Sequence, residues 1–289
     1  MFVILLVVSC LAGFNRLFVK APAGFGSAGI SDEFGPFMWG LTADVVQATS
    51  QRFPIQGKAD RMADDTRWCF AWFQDRPAGG GTTKAALQKD SKWKPGDSIT
   101  VSFMAGDEAL KKRVRETAQR WVAPGLANLR LVFNDDPKAD VRISFQAGDG
   151  SWSTVGTTCR QVRRNQATMN FGWINARSSE DELRGVVLHE FGHALGLIHE
   201  HQSPVGGFKW NRDAVIKDLS GPPNNWSVEV IEFNVLRPAS PEDVNATTMD
   251  PKSIMMYPIP ASWTTDGKTT GVNSDLSAVD KTFIHKQYT

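Results

Sequence analysis

Four of the five histidines in this 289-residue chain fall within the thirteen-residue run HEFGHALGLIHEH, which begins at His189. His189 and His193 are four residues apart, so on a helix their side chains project about 40° from one another and can bind one metal ion from the same face. Gly196 can adopt a positive φ and turn the chain, which would bring His199 back toward the same ion. The spacing therefore predicts a zinc site with His189, His193 and His199 as its ligands.

Glu190 supplies the chemistry that a catalytic metal site needs. Three neutral imidazoles leave zinc an open position for water, and the ion lowers the pKa of that water from about 15.7 toward about 7. Glu190 directly follows the first predicted ligand, where a carboxylate can accept the proton of the water without binding the metal. The expected reaction is hydrolysis by metal-activated water with Glu190 as the general base, because a purely structural zinc site has no use for this carboxylate.

The histidine run has the pattern H-E-x-x-H-x-x-G-x-x-H, which in zinc peptidases is accompanied by a methionine turn further along the chain. The segment Ser253–Pro258 (SIMMYP) supplies such a turn. With Glu200 directly after the third histidine and Tyr257 two residues after Met255, the chain resembles the astacin-like metzincins of microbial type. The resemblance extends from about residue 93 to the C terminus. It implies an α+β metzincin fold, in which a mixed twisted sheet and the active-site helix lie above a loop-rich lower subdomain, with one zinc ion in the cleft.

The resemblance also implies roles for individual residues. Tyr257 matches a switchable zinc ligand that would hydrogen-bond the developing oxyanion, so it is predicted to be catalytic together with Glu190. Met255 would lie under the metal as an apolar floor. Glu200 is either the partner of a mature N-terminal amine or a solvated surface carboxylate. Met256 occupies the position at which astacins usually have histidine. This difference removes none of the expected zinc ligands, but it is expected to alter the movement of Tyr257.

The predicted function is that of a zinc-dependent metalloendopeptidase acting on protein or peptide substrates. The alternatives are a non-catalytic or latent zinc-binding relative that recognises peptides, and a metal-dependent hydrolase of non-peptide amides. The net charge of +1 gives no indication of a nucleic-acid or membrane-surface partner, and we expect a monomer. The two remaining histidines are not expected to be ligands: His201 is predicted to face solvent or lie outside the ligand set, and His285 to lie in packing or at the surface.

The N-terminal third differs from the rest of the chain. Residues 1–20 are predicted to be a signal peptide, because the apolar stretch Met1–Ala12 is too short for a membrane span. We therefore expect a secreted protein without a membrane segment in its mature form. Residues 21–90 are interpreted as an N-terminal extension or pro-segment with a flexible joint at Gly79–Gly81, and residues 91–289 as the catalytic domain.

Removal of a signal peptide would leave two cysteines, Cys69 and Cys159, as one disulfide or as two free buried thiols. Pro-segments of astacins block the zinc with an aspartate in a motif that is absent here. The candidates for such a role in this chain are Asp60, Asp64, Asp65 and Cys69, and the sequence does not distinguish among them.

From Trp93 onward the apolar pattern alternates between strand and helix periods. Asp107 is a candidate N-cap for the first helix, and Ser179 or Glu180 begins the helix that carries the zinc ligands. The segment Gly150–Ser153 is the candidate edge strand above the zinc, where a substrate would be held by strand addition. The predicted strands are 98–103, 129–133, 141–145, 151–155 and 168–173, and the predicted helices are 107–122, the zinc helix and 277–288.

Overall fold

The structure is a computed structural model that describes residues 69–72, 87–222, 224–242, 244–246 and 248–289. Its strands are β1 (Cys69–Trp72), β2 (Leu87–Gln88), β3 (Ser98–Phe103), β4 (Arg130–Phe133), β5 (Val141–Ser144), β6 (Ser151–Thr154), β7 (Met169–Asn170) and β8 (Val244–Asn245). Six of these form a mixed sheet in the order β1-β6-β7-β5-β3-β4, while β2 and β8 form a separate antiparallel pair. The strands β7, β5, β3 and β4 are parallel, and β6 runs antiparallel to β7. The predicted α+β architecture with a mixed sheet is confirmed.

The strand β6 does not lie at the edge of this sheet, because β1 pairs along its outer side. The two strands are parallel, with Cys69 opposite Ser151 and Trp72 opposite Thr154. The expectation that Gly150–Ser153 forms the edge strand is therefore wrong. Alternation along a segment identifies a strand but not its neighbour, and here the neighbour comes from residues assigned to the N-terminal extension.

The helices begin close to where the capping residues predict. Asp107, Ser179 and Ser277 are N-caps, and the side chain of each accepts a hydrogen bond from the backbone N–H three residues later. These bonds satisfy amides that have no partner within the helix. The α-helices of the described residues are α1 (Glu108–Ala118), α2 (Glu180–Ala194), α3 (Arg212–Ser220), α4 (Val228–Ile231) and α5 (Ala278–Gln287). A π-helical turn, Glu232–Leu236, directly follows α4.

The zinc helix α2 contacts α1 and β6 and is buried along most of its second half, as its apolar pattern predicts. It belongs to a hydrophobic core that the sheet, α1 and α5 share. A second core lies in the loop-rich C-terminal part, where Met256, Tyr257 and Trp263 pack with residues of α3 and α4. Trp93, Trp121 and Trp263 are each fully buried, which agrees with a packing role for tryptophan.

The C-terminal end of α2 is held by two aromatic side chains from distant parts of the chain. The indole Nε1 of Trp93 donates to the carbonyl of Ala194 at 2.8 Å, and the hydroxyl of Tyr288 donates to the carbonyl of Leu195 at 2.5 Å. Carbonyls at a helix end have no intrahelical partner, so these bonds satisfy groups that are otherwise unpaired in the core. Burial raises the pKa of Tyr288, which keeps its hydroxyl protonated as a donor.

Candidate active site

The three predicted zinc ligands converge on one point. His189 and His193 lie one turn apart on α2, and His199 lies beyond the end of that helix. One ring nitrogen from each of the three lies within 4.8 Å of the other two, and all three side chains are buried. Within the described part of the chain, no other group of three histidine, cysteine or acidic side chains is arranged to hold a metal ion.

The return of His199 toward α2 depends on Gly196. Its φ of +94° is in the left-handed region, where glycine carries no steric penalty. The amide of Leu197 donates to the carbonyl of Gly192 at 2.9 Å, and the amide of Gly196 donates to that of His193 at 2.8 Å. These two bonds form a Schellman motif, which ends the helix and reverses the chain. The predicted turn at Gly196 is confirmed.

Two of the predicted ligands are oriented by backbone carbonyls. The Nδ1 atom of His189 lies 2.8 Å from the carbonyl oxygen of Ile254, and that of His193 lies 2.9 Å from the carbonyl oxygen of Leu197. Because a carbonyl only accepts, Nδ1 carries the proton in both rings and Nε2 keeps its lone pair. These Nε2 atoms and both ring nitrogens of His199 are buried without a hydrogen-bond partner among the described residues. Such atoms cost about 1–3 kcal/mol each, and coordination of one metal ion would satisfy three of these four, one in each ring.

The charge state of the cluster also suits a metal ion. Burial lowers the pKa of His189 to about 4. Burial, reinforced by the neighbouring histidines, lowers the pKa of His193 and that of His199 well below 6.5. The three rings are therefore neutral near pH 7, which is the form of imidazole that binds metals. Three neutral histidine nitrogens fit one zinc ion with an open fourth position.

Glu190 lies in the same buried region as the ligands. It follows His189 directly on α2 and precedes His193 by one helical turn, and its side chain is fully shielded from solvent. The helix thereby brings an acidic side chain and two ligands together within five residues. This arrangement can supply a proton acceptor beside a metal-activated water.

The methionine turn connects to the ligands through its backbone. The amide of Met256 donates to the carbonyl of Ser253 at 3.1 Å, which closes the turn. Within it, the carbonyl of Ile254 binds the ring of His189, and the carbonyl of Met255 accepts from the amide of Glu200 at 3.0 Å. The turn therefore contacts His189 and Glu200, the residue directly after His199.

Asp280, at the start of α5, holds the methionine turn and was not identified from the sequence. Its carboxylate accepts hydrogen bonds from the hydroxyl of Ser253 at 2.7 Å and from the amide of Ile254 at 2.8 Å. It also completes a capping box with Ser277. The pattern Ser-x-x-Asp at the beginning of the last helix is the signal that could have identified it.

Tyr257 and His201 pack around His199, the third predicted ligand. The ring of Tyr257 is buried and lies 4.3 Å from that of His199 and 6.2 Å from that of His189, measured between centroids. His201 is buried as well, with its ring 4.6 Å from that of Tyr257. His201 thus lies outside the ligand set rather than in solvent, and His285 is exposed on α5.

Glu200 is largely enclosed, so the alternative of a solvated surface carboxylate is wrong. One of its carboxylate oxygens accepts from the amide of Asp250 at 2.9 Å. Burial raises the pKa of Glu200 to about 7, and the carboxylates of Asp280 and Asp250 add to this effect. Pairing with a mature N-terminal amine stays a prediction.

Cys159 is a free, buried thiol. The alternative in which Cys159 forms a disulfide with Cys69 is therefore wrong. Burial raises the pKa of Cys159 to about 12, with a contribution from Asp140. A thiol in this state is protonated at neutral pH and acts as a small apolar side chain.

Comparisons with known proteins agree with this geometry. Residues 86–289 match the family model described as Astacin (Peptidase family M12A). A solved structure of myroilysin superposes with a TM-score of 0.68 at 37% identity, and the match covers 71% of this chain and 98% of that one. Zinc metalloproteinase nas-30 of Caenorhabditis elegans is 29% identical over 158 residues, and zinc metalloproteinase nas-24 of the same organism is 25% identical over 168 residues. Each of these two matches covers 54% of this chain, but only 19% of nas-30 and 38% of nas-24.

Proposed function

We propose that this chain, which belongs to the astacin family of peptidases (M12A), is a zinc-dependent endopeptidase that hydrolyses internal bonds of protein or peptide substrates. The observation that carries the proposal is the convergence of His189, His193 and His199, with neutral rings and unsatisfied buried nitrogens, beside the carboxylate of Glu190. A purely structural zinc site would not need an acidic side chain next to its first ligand.

In the proposed mechanism, His189, His193 and His199 would hold the ion, which when bound would supply Lewis-acid polarisation of the scissile carbonyl and an acidified water. Glu190 accepts the proton from the attacking water and returns it to the leaving amine, so no covalent intermediate with the protein is needed. Tyr257 donates its hydroxyl to the oxyanion that develops on the substrate. The ring of Tyr257, 4.3 Å from that of His199, supports this role.

The test separates zinc binding from catalysis. We expect the parent chain, Glu190→Gln and Glu182→Gln to bind about one zinc ion each. Once the N-terminal segment of each has been cut off, we expect only Glu190→Gln to lack cleavage of casein and gelatin. Glu182 is a matched control because it is an exposed glutamate on the same helix. A chelator should abolish cleavage by the active chains, and added zinc should restore it. Cleavage by Glu190→Gln at the parental rate would contradict the role of Glu190.

We further propose that residues 21–90 are a pro-segment and that residues 91–289 are the catalytic domain. The pairing of β1 with β6 supports this, because a strand from the extension occupies the side of β6 that a substrate strand would need. If so, the full chain is latent, and a cleavage site engineered at Gly79–Gly81 should increase peptidase activity once it is cut. The same insertion left uncut is the control, and equal activity before and after cutting would contradict latency.

We also propose that the protein is secreted as a monomer, with residues 1–20 removed as a signal peptide. The apolar stretch Met1–Ala12, which lies outside the described residues, supports this assignment. In the part of the chain that the structure describes, no helix has the length and apolar character to cross a bilayer. N-terminal sequencing of protein from the culture medium, together with its mass in solution, tests both points.

A further inference from the structure

The third predicted ligand is held differently from the other two. The rings of His189 and His193 each bind a backbone carbonyl through Nδ1, whereas neither ring nitrogen of His199 has a hydrogen-bond partner among the described residues. Metal-binding histidines almost always donate their other N–H to an outer acceptor, and this bond fixes the orientation of the ring. The orientation of His199 must therefore depend on contacts of another kind.

Ring packing supplies those contacts. The ring of His201 lies 5.2 Å from that of His199 with an interplanar angle of only 16°, so the two imidazoles are stacked. The ring of Tyr257 lies 4.3 Å from His199 and 4.6 Å from His201. Trp210 meets the ring of His201 edge-on at 5.9 Å. The His201 ring is thus enclosed on several sides, and one of its faces borders the third ligand.

A π-helical turn anchors the His201 ring. Its Nε2 atom lies 3.0 Å from the carbonyl oxygen of Asn234, within the turn Glu232–Leu236. In a π-helical turn the partner of that carbonyl would be the amide five positions later, that of Ala239, which donates instead to the carbonyl of Gln202 at 2.9 Å. The residue four positions later, Pro238, has no N–H to donate. The carbonyl is therefore available for His201. The carbonyl of Asn234 also acts to raise the pKa of His199, but its hydrogen bond of normal length and angle is with His201.

The next residue strengthens the same connection. The side-chain amide of Gln202 donates to the carbonyl of Phe233 at 2.6 Å and to that of Arg237 at 3.2 Å. The carbonyl of Gln202 in turn accepts from the amide of Ala239 at 2.9 Å. Two consecutive residues after Glu200 are thus bound to the π-helical turn, which restrains the segment that begins at the third ligand.

We propose that His201 is a positioning residue for the third zinc ligand. Its ring, fixed by the carbonyl of Asn234, stacks on His199 and holds that ring toward the metal in place of an outer hydrogen bond. The inference rests on the proposed function, because it requires zinc at His189, His193 and His199.

The test uses the full-length chain and measures metal binding, which does not require an active peptidase. Zinc affinity is determined by chelator competition, and ligand geometry is monitored by the visible absorption of the cobalt(II)-substituted protein. Three variants are compared with the parent: His201→Ala, His201→Phe, which keeps a planar ring, and His285→Ala, which removes an exposed histidine on α5. Far-UV circular dichroism reports whether each variant is folded.

We expect His201→Ala to weaken zinc binding by about 10- to 100-fold and to alter the cobalt spectrum, as loss of an outer support does in other zinc sites. His201→Phe should weaken zinc binding less than His201→Ala does, because its ring preserves the stack but loses the bond to the carbonyl of Asn234. His285→Ala should match the parent. Unchanged affinity and spectrum in a folded His201→Ala variant would overturn the inference. If His201→Ala does not fold, His201→Gln takes its place, because it removes the ring while its side-chain amide can still donate to the carbonyl of Asn234. Unchanged zinc affinity and an unchanged cobalt spectrum in a folded His201→Gln chain would overturn the inference. Failure of the parent to bind zinc would overturn the proposed function as well.

Discussion

Gly192 lies between Glu190 and His193 on the zinc helix, and we predict that Gly192→Ala will be destabilising. At an ordinary position inside a helix this change stabilises by about 1 kcal/mol, because alanine is the better helix former. Here a Cβ atom would lie 2.4 Å from the sulfur of Met255 and 3.3 Å from the ring of Trp121. Both neighbours are buried, so one of them must shift.

The magnitude follows from two opposing contributions. Forcing an extra methyl into a packed core costs about 1–3 kcal/mol. Subtracting the helix-propensity gain of about 1 kcal/mol leaves a net loss of about 0–2 kcal/mol, and we expect about 1 kcal/mol. The displaced Met255 belongs to the turn whose carbonyl at Ile254 orients His189, so zinc affinity should also fall, by about tenfold.

The assay is urea unfolding of the metal-free chain, together with chelator competition for zinc, in a double-mutant cycle with Met255→Ala. In the Met255→Ala background the sulfur is gone, so Gly192→Ala should stabilise by about 1 kcal/mol. The two backgrounds should then differ by about 2 kcal/mol, which is a coupling that this method resolves. If Gly192→Ala instead stabilised the parent by its full helix propensity and left zinc affinity unchanged, the argument from close packing would be refuted.

Three further predictions concern groups away from the metal. Tyr288→Phe should lower the free energy of unfolding by about 1–3 kcal/mol in urea titrations, since it leaves the carbonyl of Leu195 unpaired in the core. Burial raises the pKa of Asp140, but hydrogen bonds from Arg160 and from the backbone outweigh it and keep that pKa below 3.8. The pKa of Asp140 is lower in the folded chain than in the unfolded one, so its stabilising effect is present above pH 3.8 and is lost as the pH falls through the folded pKa. In urea titrations at a series of acidic pH values, the free energy of unfolding of Asp140→Asn should therefore fall less steeply with decreasing pH than that of the parent. Cys159 should resist iodoacetamide in the native chain at pH 8, and site-resolved mass spectrometry should detect its alkylation only after unfolding.

The features that the sequence predicts correctly are those that short-range spacing determines. The three histidines that converge lie within eleven residues, the turn between them depends on the φ of Gly196, and the N-caps Asp107 and Ser179 lie next to the helices they begin. Each of these features depends on neighbours in the chain, so one local pattern is enough to identify it.

The features that were missed depend on residues far apart in the chain. The pairing of β1 with β6 joins segments about eighty residues apart, and neither strand carries a signal for the other. The hydrogen bond between His201 and Asn234 likewise spans 33 positions and requires a π-helical turn, which periodicity does not predict. Arg142 is another example, because a fully buried arginine reads as a surface residue until its carbonyl partners, which include Ala139 and Gln166, are known.

The distribution of these long-range contacts has a consequence for how metal binding and folding are coupled. The end of the zinc helix depends on Trp93 and Tyr288, which lie far apart in the chain, and the methionine turn depends on Asp280 of the last helix. None of these supports exists in the unfolded chain, so the three histidines can form a site only after most of the fold has assembled. Zinc then binds the folded state in strong preference to the unfolded one, and its binding free energy adds to stability. Buried nitrogens of His189 and His199 also favour stabilisation by zinc, because they have no hydrogen-bond partner among the described residues and such atoms destabilise a metal-free fold.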